Sequence, residues 1–285
     1  MDACGEPGGE QDHGHDRHPG PDRRRQPEAG EPDEQLDHAR HGLGHGAARL
    51  PVRFGAMDVA IVGGTGAEGF GLALRLATAD HHVTIGSRVA EKAAASVDEA
   101  KGLLGADAPI DGALNAESVL GKAVVFVTVP FAGQALIYEA IKDSVGGDTV
   151  VCDCTSPLMA AVGGRASHVL RPWHGSAAEF AKTLLPKGTR LVAAFHTIAA
   201  DALRDLAEPV DSDAFVMGDD ADAKALVGSL IADIPGMRWI DCGGLQMARI
   251  AEGLTPLLIS VNTRYKIRDS GFRLTGREAW GDPRG

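Results

Sequence analysis

One short stretch limits the fold more than any other. Val59-Ala60-Ile61-Val62 is an apolar run of strand length, and Gly64-Thr65-Gly66-Ala67-Glu68-Gly69 follows it at once. After the glycines comes a helical pattern with Leu72 and Leu76 one turn apart on one face. A G-x-G-x-x-G hexad alone is a weak signal, because glycine-rich turns are common. Placed between a strand and a helix it predicts a dinucleotide-binding βαβ unit. Gly64 would make the tight turn, Gly66 would admit a pyrophosphate to the backbone, and Gly69 would let helix and strand pack closely. The N-terminus of the helix offers free N–H groups and the positive end of its dipole to the phosphates.

The second strand selects the dinucleotide. A chain that binds NAD usually places Asp or Glu at its end, on the ribose hydroxyls. Here the strand from His82 ends Ile85-Gly86-Ser87-Arg88, with Lys92 one turn later. A hydroxyl, a guanidinium and an ammonium suit a 2′-phosphate, which points to NADP(H). The plain alternative is that Arg88 and Lys92 are solvated surface cations.

Strand and helix patterns then alternate. The spacing predicts helices over 91–104 and 131–141, a short helical turn over 115–120, and strands over 124–129, 149–154 and 190–195. Ser176-Ala177-Ala178-Glu179 has capping-box spacing and opens a helix through about Leu185. This alternation predicts an α/β fold of the Rossmann type, a doubly wound and mostly parallel sheet. After about residue 200 the rhythm changes. Strands near 214–217 and 238–241 flank a helix over 221–234, and a long helical pattern runs over 245–264. We expect residues 57–200 to form the NADP-binding domain and 201–276 a smaller α/β domain carrying the long helix. Residues 277–285 are expected to be a tail.

Residues 1–56 are crowded with Gly, Pro, His and charged side chains and lack aliphatic periodicity. Such a segment cannot bury enough apolar area to offset its ordering entropy. It is expected to be a disordered leader or an untranslated stretch ahead of Met57, and in either case dispensable. Its histidines offer loose metal ligation at most. The net charge of −11 argues against a polynucleotide partner. No apolar run approaches the length of a membrane span and no signal core is present, so the expected location is the cytoplasm. The cysteines show no zinc spacing, and Cys152 and Cys154, two apart in a strand, are expected to be buried together. The leucine-rich 254–261 stretch is the candidate surface for pairing two subunits.

Taken in order, Val59–Leu76, Gly86-Ser87-Arg88, Thr128-Val129-Pro130, Ser176–Glu179, His196-Thr197-Ile198, Gly218-Asp219-Asp220, Leu254–Leu257 and Gly271–Gly276 form a series. The series resembles the NADPH-dependent reductases of coenzyme F420, over about residues 57–276. The resemblance implies hydride transfer between NADP(H) and the deazaflavin F420. It implies that Thr65, Gly66, Ala67 and Glu68 touch the pyrophosphate and that Ser87, Arg88 and Lys92 hold the 2′-phosphate. It implies that Val129, Pro130 and Phe131, with Leu158 and Ala200, line the nicotinamide, and that the 271–276 segment, Gly271 first, lies near the deazaflavin. Two positions depart from the family pattern: Ala199 stands where a proline is common, and Phe131 where a tryptophan is.

No Ser/His/Asp order, metal cluster or carboxylate pair is evident in the sequence, which agrees with chemistry that depends on stacking and orientation. His196, at a strand end, is the candidate for polar catalytic help, with a capping or backbone-bonding role as its alternative. Two other functions fit the same architecture: reduction of another small substrate (a flavin, an imine or a hydroxyacid), or NADPH sensing without turnover. Residues 245–264 hold Arg249 and Glu252 but no lysine, which weakens the imine and hydroxyacid readings.

Overall fold

The computed structural model describes residues 55–276. Eight strands form one sheet: β1 (Asp58–Val62), β2 (His82–Ser87), β3 (Ile110–Leu114), β4 (Val124–Val127), β5 (Val150–Asp153), β6 (Arg190–Ala193), β7 (Asp213–Gly218) and β8 (Arg238–Asp241). Their order is β3-β2-β1-β4-β5-β6-β7-β8. The order reverses between β1 and β4, and the crevice at such a switch point is where doubly wound sheets take ligands. Neighbours pair in parallel except β6 and β7, where Val192 faces Gly218 and Ala193 faces Met217 antiparallel. The reversal brings the start of β7 to the same edge of the sheet as the ends of β1, β4, β5 and β6.

The apolar strands are unbroken runs because both faces are covered. Along β1, Val59 and Ile61 enter one core with Leu72 and Leu76 of α1 (Ala67–Thr78). Ala60 and Val62 enter the other, with Tyr138 and Ile141 of α4 (Phe131–Ile141) and Ala178 and Ala181 of α5 (Ala177–Leu184). Between these lie α2 (Ala90–Leu104) and the short α3 (Asn115–Ser118), and further on come α6 (Ala200–Arg204) and α7 (Ala221–Ala232). Cys152 and Cys154 are buried in one core, as their spacing predicts.

The elements expected from sequence are present within a few residues of their predicted bounds, with three differences. The sheet runs across residue 200, because β7 and β8 extend it. β3 and α6 are additional: β3 buries only Ile110 fully, so it carries no apolar alternation to read. The 245–264 helix is interrupted: 3₁₀ turns at Leu245–Met247 and Glu252–Leu254 flank α8 (Ala248–Ala251) and precede α9 (Thr255–Tyr265). Pro256 has no N–H for the carbonyl of Glu252, so the ladder breaks where the second 3₁₀ turn lies. The expectations for residues 1–54 and 277–285 fall outside the described residues.

Candidate active site

The glycine loop leaves β1 through Gly63, whose φ of 76° is a left-handed conformation that glycine accepts without strain. A hydrogen bond from the Gly64 N–H to the Gly86 carbonyl (3.1 Å) ties the loop to the end of β2. A Cβ at Gly69 would lie 2.4 Å from Thr128 Oγ1 and 2.9 Å from the α-carbon of Gly64, so the close packing inferred for this glycine is real. In front of Gly66 there is room, since a Cβ there would meet nothing nearer than the Gly63 carbonyl at 3.4 Å. Thr65, Gly66 and Ala67 are exposed.

Side chains cap only two of the described α-helices, and α1 is not one of them. Ser176 Oγ accepts the Glu179 N–H at the start of α5, and Asp220 accepts the Ala223 N–H at the start of α7. The N-cap of α1, Gly66, provides no side-chain acceptor. The first-turn N–H groups of a three-turn helix therefore face the open loop, which fits a pyrophosphate. Beside them, Ser87 is buried, its Oγ accepting the Val89 N–H at 3.2 Å, while Arg88 and Lys92 are exposed. Hydroxyl and cations thus sit at the end of the strand next to the loop, where a 2′-phosphate would be held.

The expected nicotinamide wall occupies the next strand ends. Val129 abuts the loop: a Cβ on Gly63 would come within 2.6 Å of its Cγ1. Pro130 is the N-cap of α4 and Phe131 its first residue, with the Phe131 ring 6.3 Å edge-on from Phe180. Leu158 follows β5 and Ala200 opens α6 after β6. These residues share one edge of the sheet on adjacent strands.

Carboxyl groups gather at this edge, although no carboxylate pair is evident in the sequence. Asp153, at the end of β5, is buried and accepts hydrogen bonds from Tyr138 Oη (2.6 Å), Gln134 Nε2 (2.9 Å) and the Thr155 N–H (3.0 Å). Burial raises its pKa to about 6 although these donors pull it down. Glu68 lies near enough to feel that charge, and burial together with Asp153 pushes it up to about 8. Glu252 accepts the N–H groups of Ala177 (2.8 Å) and Ala178 (3.1 Å) at the start of α5. Burial also pushes Glu252 to about 8, opposed by those two donors and abetted by Asp153. The sequence signal for Asp153 was a carboxylate closing an apolar strand. Glu252 carried none, because its partners lie 75 and 74 residues away.

His196 lies just past β6, where Phe195 turns the chain with a φ of 72°, a strained value for a bulky residue. The imidazole is 5 % exposed, and neither ring nitrogen has a hydrogen-bond partner among the described residues. Burial lowers its pKa to about 4, so it is neutral at physiological pH. Its carbonyl accepts from Thr255 Oγ1 (2.7 Å), which also meets Ser156 Oγ (2.7 Å), so the ends of β5 and β6 are pinned to α9.

The closing segment reaches this edge as well, but not as an open surface. Phe272 pairs with the residues that precede and begin β7, its carbonyl accepting the Asp213 N–H at 2.7 Å. A Cβ on Gly271 would lie 2.3 Å from Ser212 Oγ, so this glycine permits close backbone packing. Arg273 of this segment is committed to Asp211 (2.6 Å), Asp213 (2.7 Å) and two carbonyls.

Fold and site together define an NADP-dependent oxidoreductase of the Rossmann type. A family model described as NADP oxidoreductase, coenzyme F420-dependent, matches residues 58–157. The F420-dependent NADP reductase of Methanothermobacter thermautotrophicus is 43 % identical over 221 residues, 77 % of this chain and 95 % of the relative. That of Methanocaldococcus jannaschii is 40 % identical over 225 residues, 78 % of this chain and all of the relative. A solved structure from Arthrobacter sp. fb24, assigned as an F420-dependent NADP reductase, superposes with a TM-score of 0.66 at 25 % identity, covering 78 % of this chain and 100 % of that one. The chain belongs to the family of F420-dependent NADP reductases.

Proposed function

We propose that this protein transfers a hydride between NADP(H) and coenzyme F420: F420H2 + NADP⁺ gives F420, NADPH and a proton. The observation that carries the reading is the uncapped N-terminus of α1 beside the exposed Arg88 and Lys92, at the edge where Val129, Pro130 and Phe131 begin α4. The two bound cofactors supply the redox chemistry, a nicotinamide and a deazaflavin exchanging a hydride. The chain binds and orients them: Thr65–Gly69 cradle the pyrophosphate, Ser87, Arg88 and Lys92 hold the 2′-phosphate, and Val129, Pro130, Phe131, Leu158 and Ala200 wall the nicotinamide.

His196 is a positioning residue in this scheme. A neutral, buried imidazole is no imidazolium acid at pH 7, but its backbone carbonyl holds Thr255 and with it the α9 side of the cleft. Gly271 acts by letting the closing segment lie tightly on Ser212.

The protein works in the cytoplasm on small-molecule cofactors, without nucleic acid, and the net charge of −11 supports the last point. Among the described residues no helix is long and apolar enough to cross a membrane. Exposed Ile250, Leu257 and Tyr265 on and before α9 support pairing of two subunits there, which sedimentation velocity would read as a dimer.

Mixing the protein with NADPH and oxidised F420 tests the reading directly. The deazaflavin absorbance should fall with NADPH oxidation in equal amounts. Reduction of FMN but never of F420 would leave an NADPH reductase of another substrate, and cofactor binding with no turnover would leave a sensor.

A further inference from the structure

The connector between β5 and α5 is unlike the rest of this acidic chain. From Cys154 to Ala178 it contains no Asp or Glu, yet it carries Arg165, His168, Arg171 and His174, all exposed. The arginines are also unengaged. Arg190, Arg204, Arg238, Arg249 and Arg273 each meet a carboxylate, whereas Arg165 and Arg171, like Arg88, Arg264 and Arg268, have no side-chain partner among the described residues. In a chain of net charge −11, a segment that keeps cations and omits every anion has a local field of its own.

Its place in the fold is fixed by backbone bonds. Leu158 and Val169 form an antiparallel bridge, flanked by hydrogen bonds from the Met159 N–H to the His168 carbonyl (2.9 Å) and from the Leu170 N–H to the Pro157 carbonyl (2.9 Å). The 168–170 arm, which lies between Arg165 and Arg171, is thus paired with the one that bears Leu158, the residue proposed for the nicotinamide wall. At the far end of the connector the His174 ring stacks on Phe180 at 4.7 Å, and Phe180 meets Phe131 of the same wall. The opposite flank of the edge is acidic. A recess of about 480 Å³ next to Ala200 is rimmed by Asp201, Asp205, Glu208, Asp211 and Asp269 against the single cation Arg268. An anionic ligand entering along this edge is repelled on one side and attracted on the other.

We propose that the 157–171 hairpin, through Arg165 and Arg171, is the binding subsite for the anionic tail of the deazaflavin cosubstrate, its phosphate and carboxylates. The inference rests on the hydride-transfer reading above and adds which surface selects the tailed cofactor. Arg165 opens the turn at the tip of the hairpin and Arg171 lies just past its base, so the two cations stand at opposite ends of one arm. Guanidinium groups suit both phosphate and carboxylate.

The test compares two substrates, F420 with its oligoglutamate tail and the same chromophore cut back to its ribityl alcohol. In the full chain, Arg165→Ala/Arg171→Ala should raise KM for the tailed cofactor by about tenfold. The kcat, the KM for NADPH and the KM for the tailless chromophore should hold. The Arg165→Lys/Arg171→Lys variant should keep most of the preference, and high salt should erase the difference between parent and alanine variant. An unchanged KM for the tailed cofactor, or an equal rise for both, overturns the proposal. If the parent reduces neither chromophore, the hydride-transfer reading fails. Fluorescence titration then still decides the subsite: weaker binding of tailed F420 alone in the alanine variant upholds it, and unchanged binding overturns it.

Discussion

Arg273 holds Asp213 at 2.7 Å, and this pair ties the end of the described chain to the first residue of β7. Asp213 is wholly buried and also takes both arms of Arg238 at 2.7 and 2.6 Å and the Leu274 N–H at 2.7 Å. Burial alone would raise Asp213, but the hydrogen bonds from Arg238, Leu274 and Arg273 outweigh it and hold the carboxyl below its usual range. Asp213→Asn should therefore destabilise the fold by roughly 2–4 kcal/mol in urea unfolding. A lowered carboxylate pKa stabilises above the unfolded value of 3.8, and that stability is lost as pH falls through the folded value. The loss on Asn substitution should accordingly shrink below about pH 4. A bulky residue at Gly271 should loosen the same anchorage, lowering Tm as well as F420 turnover, because Ser212 fills the space beside it.

Arg88→Ala should weaken NADPH far more than NADH. Losing charge-assisted bonds to a phosphate costs roughly 1.5–3 kcal/mol, or about ten- to a hundredfold in affinity. Titration of both cofactors measures the ratio, and an equal loss for the two would remove Arg88 from the 2′-phosphate site.

Glu68 sits in the first turn of α1, where an ionised carboxylate would repel a pyrophosphate. Its pKa is raised from 4.5 to about 8, so the folded chain keeps a proton that the unfolded chain releases. That mismatch costs stability increasingly from pH 4.5 up to about 8 and stays constant above. Glu68→Gln should thus raise Tm more at about pH 9 than at about pH 5, and tighten NADPH binding chiefly on the alkaline side. A Tm gain that is the same at both pH values would mean that Glu68 is ionised throughout.

The opposite sign holds for His196. Its folded pKa is lowered from 6.5 to about 4, so stability is complete above 6.5 and declines as pH falls towards 4. The decline amounts to about 3 kcal/mol for a shift of this size. His196→Gln should remove that part of the acid sensitivity, and the kcat profile should stay flat from about pH 6 to 8 in both proteins. A rate-controlling ionisation near pH 7 that disappears in the variant would restore His196 as an acid or base.

The sequence by itself determined the strand–glycine–helix unit at Val59–Leu76, the cations at the end of β2, the buried cysteines and the N-cap at Ser176. Each is a local pattern: periodicity, spacing or turn chemistry within a few residues is enough to impose it. Tertiary structure decided the rest, because its determinants are far apart in the chain. β3 forms as an edge strand by pairing with β2, without an apolar stripe of its own. β7 joins the sheet antiparallel through two facing pairs with β6, which no local pattern encodes. Glu68 and Glu252 come within reach of the charge of Asp153 only because α1 begins, β5 ends and the turn before α9 lies at one edge, and burial there sets their protonation. Arg273 is a clasp only in the fold, since the carboxylates that claim it lie 62 and 60 residues earlier. Local sequence fixes what a side chain can do, and packing fixes which partners and how much water it has left with which to do it.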